Sequence, residues 1–343
     1  LVDTFDRNFQ YSVEHVALAK KADIVLVAPA SANVIGKIAN GIADDMLTTT
    51  VMACSCKKLI APAMNTRMFE NPILQDNLEK CRHYGMDIIM PDSGRLACGD
   101  VGSGKLPSEE VLVAAILKEI RYEKDMQGLK VLVTAGATQE AIDPVRFISN
   151  HSTGKMGFAL AKTAMQRGAD VTVVAAHTSA KEPLYVNIRR VSSAADMFEV
   201  CKEEAKTADI IIKAAAVADY TPVETADNKI KKSDDTMAIT CKRTQDILAY
   251  LGAHKPDGQF LCGFSMETEH MLENSEKKLE KKNLDMIVAN NLKVKGAGFA
   301  TDTNVVTLIT KEEVKELPLM SKDEVANEIL TQILQRRCPE NGQ

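Results

Sequence analysis

Residues 130–176 read KVLVTAGATQEAIDPVRFISNHSTGKMGFALAKTAMQRGADVTVVAA, and this stretch decides the fold. An apolar run, Val131–Thr134, enters a glycine turn and a long polar turn. A helix follows from Gly157 to Arg167, then a second apolar run, Val171–Ala175. Continuous apolar runs of strand length alternating with helices are the pattern of parallel strands covered on both faces. The pattern repeats outward. Upstream lie Ile24–Ala28, Leu59–Ala61 and Asp87–Met90; downstream lie Ile210–Lys213, Phe260–Phe264 and Met286–Ala289. Helical stretches at Asn71–His83, Ser108–Tyr122, Ala194–Lys206 and Glu267–Lys282 fall between them. Two further runs, Thr303–Ile309 and Val314–Leu317, flank a charged turn and predict a hairpin.

The chain of 343 residues has the length of about two domains. The polar segment Arg121–Gly128 precedes a fresh strand and marks the boundary. The expected class is α/β, with two doubly wound, Rossmann-like three-layer domains at 1–125 and 126–343. With 42 Lys and Arg against 47 Asp and Glu, the net charge of −5 leaves no basic footprint for nucleic acid. The absence of Trp and the 4% aromatic content disfavour stacking platforms for single strands. No apolar run approaches the ~18 residues of a membrane span, so no membrane partner is expected. Eight cysteines are scattered without a CxxC pair, and Cys54-Ser-Cys56 has the wrong spacing for zinc. They read as reduced thiols in a cytoplasm. The chain opens at Leu1 rather than Met, and a preceding N-terminal segment is expected.

In the first domain, the run DIVLVA leads into PASAN at 29–33, placing Ser31 and Asn33 just beyond a strand end. Small residues there let a ligand approach, although a helix cap explains the same residues. A second strand, LIAPAMN, also ends in a Pro-Ala turn and delivers Asn65, so two strand ends point at one crevice. Gly94, Gly99, Gly102 and Gly104 fall within eleven residues around Cys98. Such a segment is not expected inside a helix or strand. It is predicted to be a mobile flap that brings a weak acid to a reacting centre, the alternative being a plain linker. PASANV, APAMNTRMFENP and SGRLACGDVGSGKLP, in this order, resemble the flavin-dependent cysteine decarboxylases, most closely those acting on phosphopantothenoylcysteine. The resemblance implies oxidative decarboxylation of a cysteine amide with FMN. His15, on the helix before the first strand, then resembles the active-site base; a lone helical His otherwise reads as surface or core. Asn65 resembles the residue holding the substrate carboxylate, and Cys98 the proton donor. Val34 stands where the family has Thr. The family's opening strand and glycine-rich phosphate loop are expected to lie upstream of Leu1.

In the second domain, the helix near Thr153-Gly154-Lys155 offers backbone N–H groups to an anion. Its loop is neither GxGxxG nor a Walker A, which weakens a nicotinamide-dependent oxidoreductase reading. The run DIIIKAAAVADYTP ends in small residues and bears Asp219. Lys229-Ile-Lys231-Lys232 follows, a solvated basic face or a neutraliser of a triphosphate. GATQEAIDPVRFISNHSTGKMG, AAAVADY and KIKK resemble phosphopantothenate–cysteine ligases over nearly all of 128–337. The resemblance implies CTP-dependent activation of 4'-phosphopantothenate as an acyl-cytidylate, with Mg2+, followed by attack of L-cysteine. Asn150 then resembles the residue stabilising the acyl-cytidylate, Arg146 its neighbour at the pantothenate site, and Lys229 the lysine that turns the intermediate over. The nucleotide contacts resemble Ala214, Ala215, Asp219, Lys229, Gln245, Asp246, Ile247, Leu248, Phe264, Lys278 and Lys282. Gln245 replaces a family proline. No protein metal cage is legible, so the metal ligands stay unassigned.

The two resemblances stand in the order of the bifunctional family of coenzyme A biosynthesis, a decarboxylase-like then a ligase-like domain, and imply a homo-oligomer. A regulatory or scaffold homologue without turnover is the rival of another class. The combination of His15, Asn65, Cys98 and Lys229 speaks against it, because pure binding has no chemical need for all four.

Overall fold

A computed structural model describes residues 14–95, 99, 101–231, 236–266, 271–290 and 301–337. The chain divides into two compact units, Leu1–Glu123 and Lys124–Gln343.

In the first unit, α1 (Glu14–Lys21) precedes β1 (Ile24–Ala30), α2 (Ala32–Ala39) and α3 (Met46–Ala53). Then come β2 (Lys57–Pro62), the short α4 (Thr66–Phe69), α5 (Pro72–His83), β3 (Asp87–Ile88), β4 (Asp92–Arg95), β5 (Val101–Lys105) and α6 (Glu109–Ile120). The parallel sheet runs β1-β2-β3, pairing Ile24 with Lys57 and Leu59 with Asp87. α5 starts at Pro72, with the Asn71 side chain accepting from the Ile73 N–H. It buries Leu74, Leu78 and Cys81, one stripe at helical spacing, against Val27, Ile35 and Ile60. Each such aliphatic side chain contributes about 1.5–3 kcal/mol when fully buried. The opposite sheet face, with Leu59 and Ala61, packs on Ala115 of α6. Helices therefore cover both faces.

The second unit begins with β6 (Lys130–Ala135), β7 (Gln139–Ala141), β8 (Phe147–Ser149), α7 (Lys155–Gln166), β9 (Asp170–Ala175) and β10 (Asn187–Arg190). It continues through α8 (Ala194–Glu204), β11 (Ile210–Lys213), β12 (Tyr220–Pro222), β13 (Cys241–Arg243), α9 (Ile247–Ala253) and β14 (Phe260–Met266). It ends with α10 (Met271–Lys281), β15 (Met286–Asn290), β16 (Thr303–Asn304), β17 (Val306–Ile309), β18 (Val314–Glu316), β19 (Met320–Ser321) and α11 (Lys322–Arg337). The main sheet is ordered β10-β9-β6-β11-β14-β15-β17-β18. Strands β10 through β15 in this order are parallel, and β17 and β18 close the edge as an antiparallel hairpin.

Strand alternation splits the core into two layers. Ile210 and Ile212 face α7 and α11, whereas Ile211 faces α8 and α9. Gly157 lets α7 lie directly on β6: a Cβ there would meet Ala135 Cβ at 2.7 Å and Thr134 O at 2.9 Å. Buried Arg167, after α7, bonds Asp125 through Nε at 2.9 Å and reaches Thr331 Oγ1 of α11 at 3.0 Å. The first residues of the unit are thereby fastened to its last helix. The doubly wound α/β class and the predicted Thr303–Leu317 hairpin are both present.

Two local expectations are corrected and one strand was not anticipated. The glycine-rich segment around Cys98 is not an irregular flap throughout. Its arms β4 and β5 pair antiparallel, Gly94 opposite Gly102. The entropic cost of glycine in a strand is outweighed here because the arm lies too close to Met64 and Thr66 for any side chain. The strand β10, Asn-Ile-Arg-Arg, escapes the apolar criterion because it is an edge strand with a largely exposed face. The long turn after β6 contains a small hairpin, β7 with β8, pairing Gln139 with Ser149.

Candidate functional site

The order of the parallel strands reverses between β6 and β11, where the chain leaves the sheet in opposite directions and opens a crevice at the strand carboxyl ends. The two strand ends are laced together there. Ala215 N–H donates to Thr134 Oγ1 at 3.0 Å, Ala218 N–H to Thr138 Oγ1 at 3.0 Å, and Ala216 N–H to Gly136 O at 2.8 Å. Thr134 and Thr138 are fully buried, so these hydrogen bonds hold the small-residue turn of 214–218 in place.

A cleft of about 750 Å³ occupies this crevice, within the range of small-molecule sites. It gathers Asn150 from the turn before α7, with Ala214, Ala215 and Asp219 after β11. Gln245, Asp246, Ile247 and Leu248 line it at the start of α9, Phe264 on β14, and Lys278 and Lys282 at the far side. Asn150 Nδ2 lies 3.4 Å from Ala216 O, a long hydrogen bond that keeps the amide at the rim. Asp246 caps α9, accepting from Ala249 N–H at 3.0 Å, and pairs with Lys282 Nζ at 2.8 Å. Burial pushes the Asp246 carboxyl up, but the hydrogen bond from Lys282 and the cap bond outweigh it and hold the carboxyl below the usual value.

The lining also contains residues that sequence reasoning missed. Lys155 starts α7, Lys213 ends β11, Arg243 ends β13 and Lys322 starts α11; Asn290 and Asn304 meet through an amide hydrogen bond of 2.9 Å. Six cationic side chains thus face two carboxylates, Asp219 and Asp246. In the sequence, Lys155 stands out only as part of a helix start. The others carry no local signal, because each sits one residue inside or at the end of an ordinary element.

Arg146 and Lys229 do not line this cleft. Arg146 Nη1 pairs with the buried Asp143 Oδ2 at 2.9 Å, and its Nη2 donates to Ile230 O at 3.2 Å. The same Asp143 oxygen accepts from Ile230 N–H at 3.2 Å. Burial pushes the Asp143 carboxyl up, but backbone N–H groups of Val145, Ile230 and Arg146, with the Arg146 charge, hold it below the usual value. Arg146 and Asp143 therefore clasp the Lys229–Ile230 segment to the β7–β8 hairpin, leaving Lys229 exposed. Among the described residues no group of three or more His, Cys, Asp or Glu side chains could hold a metal ion.

In the first unit, Ser31 caps α2, accepting from Val34 N–H at 3.4 Å, and Asn33 is exposed in its first turn. Asn65 caps α4 through a 2.9 Å bond from Arg67 N–H and is half-buried. Ala63 N–H donates to Ala30 O at 3.1 Å, so the turns after β1 and β2 adjoin. The β4–β5 hairpin seats on the Asn65 turn. Met64 N–H donates to Gly104 O at 3.0 Å, and a Cβ on Gly104 (φ +135°) would meet Met64 O at 2.2 Å. Thr66 Oγ1 lies beneath Gly102, buried without a hydrogen-bond partner among the described residues. His15 lies in the first turn of α1, and its Nδ1 is likewise buried and unpartnered among them. Cys98 and Lys232 lie outside the described residues. Thr66 Oγ1 and His15 Nδ1 are thus buried polar atoms without partners among the described residues, a feature that suits a ligand with a polar edge.

No described helix is long and apolar enough to cross a membrane. Residues 126–336 match the family described as DNA/pantothenate metabolism flavoprotein C-terminal domain, and residues 1–121 match the family described as flavoprotein. The coenzyme A biosynthesis bifunctional protein CoaBC of Bacillus subtilis (strain 168) is 48% identical over 335 residues, 96% of this chain and 82% of that protein. A cysteine/cysteine sulfinic acid decarboxylase from an unknown prokaryotic organism is 44% identical over 340 residues, 97% of this chain and 95% of that protein. The crystal structure of a C-terminal domain of CoaBC is 46% identical, covering 61% of this chain and 98% of that one with a TM-score of 0.53.

Proposed function

The chain belongs to the DNA/pantothenate metabolism flavoproteins, with the bifunctional proteins of coenzyme A biosynthesis among its relatives, and from that premise we propose how its residues divide the work. It is an enzyme of coenzyme A biosynthesis with a phosphopantothenate–cysteine ligase step and a phosphopantothenoylcysteine decarboxylase step. We assign ligation to residues 126–343 and decarboxylation to residues 1–125. The observation that carries the ligase assignment is the cleft at the strand reversal, where six cations surround a polar floor. Such a lining suits a nucleoside triphosphate, and CTP is our choice of co-substrate.

The backbone N–H groups opening α7 and the lysines around the cleft offset the charge of the polyphosphate. Mg2+ accompanies it, held by phosphate oxygens rather than by a protein cage. The carboxylate of 4'-phosphopantothenate attacks the α-phosphorus, pyrophosphate leaves, and an acyl-cytidylate remains. Asn150 donates to that mixed anhydride, and cysteine then displaces CMP. Lys229 and Arg146 lie outside the cleft of their own chain, on an arm with exposed Val145, Phe147 and Val223. This placement suits a homo-oligomer in which the arm of one copy serves the cleft of another.

For decarboxylation, Ser31 and Asn33 would hold FMN, which when bound supplies two-electron oxidation and reduction. Asn65 holds the substrate carboxylate with a neutral amide, which binds the ground state less tightly than a cation and so leaves CO2 freer to depart. His15 acts as base, and Cys98 returns a proton to the product. Free thiols at six described cysteines suit a cytoplasmic setting.

The test supplies CTP, 4'-phosphopantothenate and cysteine to the whole chain and follows pyrophosphate and phosphopantothenoylcysteine. Lys229→Gln is expected to lose product formation about tenfold or more while still binding CTP, because the cleft's own six cations hold the polyphosphate. Product at the wild-type rate would remove Lys229 from its role. A nicotinamide oxidoreductase is separated by titrating NADPH against CTP, and a decarboxylase of free cysteine by the absence of pyrophosphate release.

A further inference from the structure

Lys213 is the last residue of β11 and lies at the floor of the cleft. Ile211, two residues earlier, faces α8 and α9, and strand alternation sends Lys213 to the same side. It forms no hydrogen bond or ion pair with any described residue. Its surroundings explain why. Asp246 is already engaged by Lys282 at 2.8 Å. Cys201, reaching in from α8, is a neutral thiol pushed up to about 12 by burial. Asp219 lies at the exposed mouth. Other cations of the lining are occupied: Lys155 pairs with Asp302 at 2.7 Å, and Lys322 donates to Thr301 O. A half-buried ammonium without an internal counter-charge is costly unless a ligand supplies one.

We propose that Lys213 is a phosphate ligand of the nucleotide, a cation held at the strand end for the polyphosphate of the co-substrate. The proposal rests on the nucleotide reading of the cleft and adds to it a residue that the family resemblance did not supply. Lys213 stands beside Lys282, which already pairs with Asp246, and this local excess of positive charge favours a polyanionic ligand. The electrostatics give a second signature. Burial, and then the Lys282 charge, lower the proton affinity of Lys213, against the raising influence of Cys201, Asp246 and Asp219. Those four groups, from α8, the turn after α10, the α9 cap and the turn after β11, are the charged and titratable neighbours. A bound polyanion outweighs them and restores the proton, so binding takes up protons at alkaline pH.

The experiment is calorimetric titration of the whole chain as wild type, Lys213→Met and Lys213→Arg, with CTP, inorganic tripolyphosphate and cytidine as ligands. Methionine keeps length and apolar bulk, and removing a half-buried charge does not threaten the fold. The expected result is a Kd for CTP and for tripolyphosphate raised about tenfold or more by Lys213→Met, largely recovered by Lys213→Arg, with cytidine unaffected. Proton uptake on binding at alkaline pH, read from two buffers of different ionisation heat, should vanish in both variants. Unchanged affinity of Lys213→Met for both polyanions overturns the proposal, and so does an equal loss for cytidine. If the wild type binds tripolyphosphate through Lys213 but CTP no more tightly, the nucleotide reading fails while Lys213 stands as an anion ligand.

Discussion

At the scale of single residues, Asp143 shows how one buried carboxylate positions a functional segment that it does not chemically resemble. It accepts from Val145 N–H at 2.7 Å and Arg146 N–H at 2.8 Å on one oxygen, and from Ile230 N–H and Arg146 Nη1 on the other. Its proton affinity is lowered on folding, so its contribution to stability is complete above the usual carboxylate range and is lost as pH falls through the depressed folded value. Thermal unfolding of the wild type between neutral and acid pH should show that loss at the acid end. Asp143→Asn should be less stable at neutral pH and should lose part of the acid dependence, since its amide turns a donor toward Arg146. An acid profile identical to that of the wild type would separate Asp143 from the clasp. In the sequence, Asp143 was only one polar residue of a long turn. Asn150, Asp219 and Lys282 were legible because they fall within quotable motifs, whereas Lys213 and Lys322 were not, because a lysine ending a strand or opening a helix looks like solvated punctuation.

Among the elements, the β4–β5 hairpin is the clearest case of backbone meeting backbone. Gly104 lies so close to Met64 O that any side chain must push the hairpin off the Asn65 turn. Gly104→Ala should therefore lower decarboxylation strongly, on the order of the hundredfold loss that a displacement of about 1 Å produces at a reacting centre. Pyrophosphate release by the second unit should stay near wild type. Product analysis by mass spectrometry separates the two, with phosphopantothenoylcysteine accumulating. Equal loss of both activities would mean that the substitution acts through general misfolding instead. The same hairpin shows the limit of propensity. Its glycines argued against a strand, yet the close approach to Met64 and Thr66 demands them, and that approach exists only after β2 and β5 have been brought together.

Over the whole molecule, the two units have separate cores, and the second fastens its own ends through Arg167, Asp125 and α11. A fragment spanning residues 124–343 should fold cooperatively and release pyrophosphate from CTP in the presence of 4'-phosphopantothenate, because its core and the fastening of its ends are its own. Circular dichroism with a pyrophosphate assay checks this, and an insoluble or unfolded fragment would contradict it. The amino-acid sequence alone determined the alternation of apolar strands and helices and the residues whose chemistry is carried in short motifs; the boundary it predicts lies within the polar segment Arg121–Gly128. These are local properties, written in periodicity and in neighbours along the chain. The strand order β10-β9-β6-β11-β14-β15 and the reversal between β6 and β11 were decided by tertiary structure. So were the meeting of Lys155, Lys213, Asn290 and Lys322 around one cleft and the exclusion of Lys229 from it. Crossover connections bring together residues more than a hundred positions apart, and no local pattern of polarity encodes which strand ends will be neighbours.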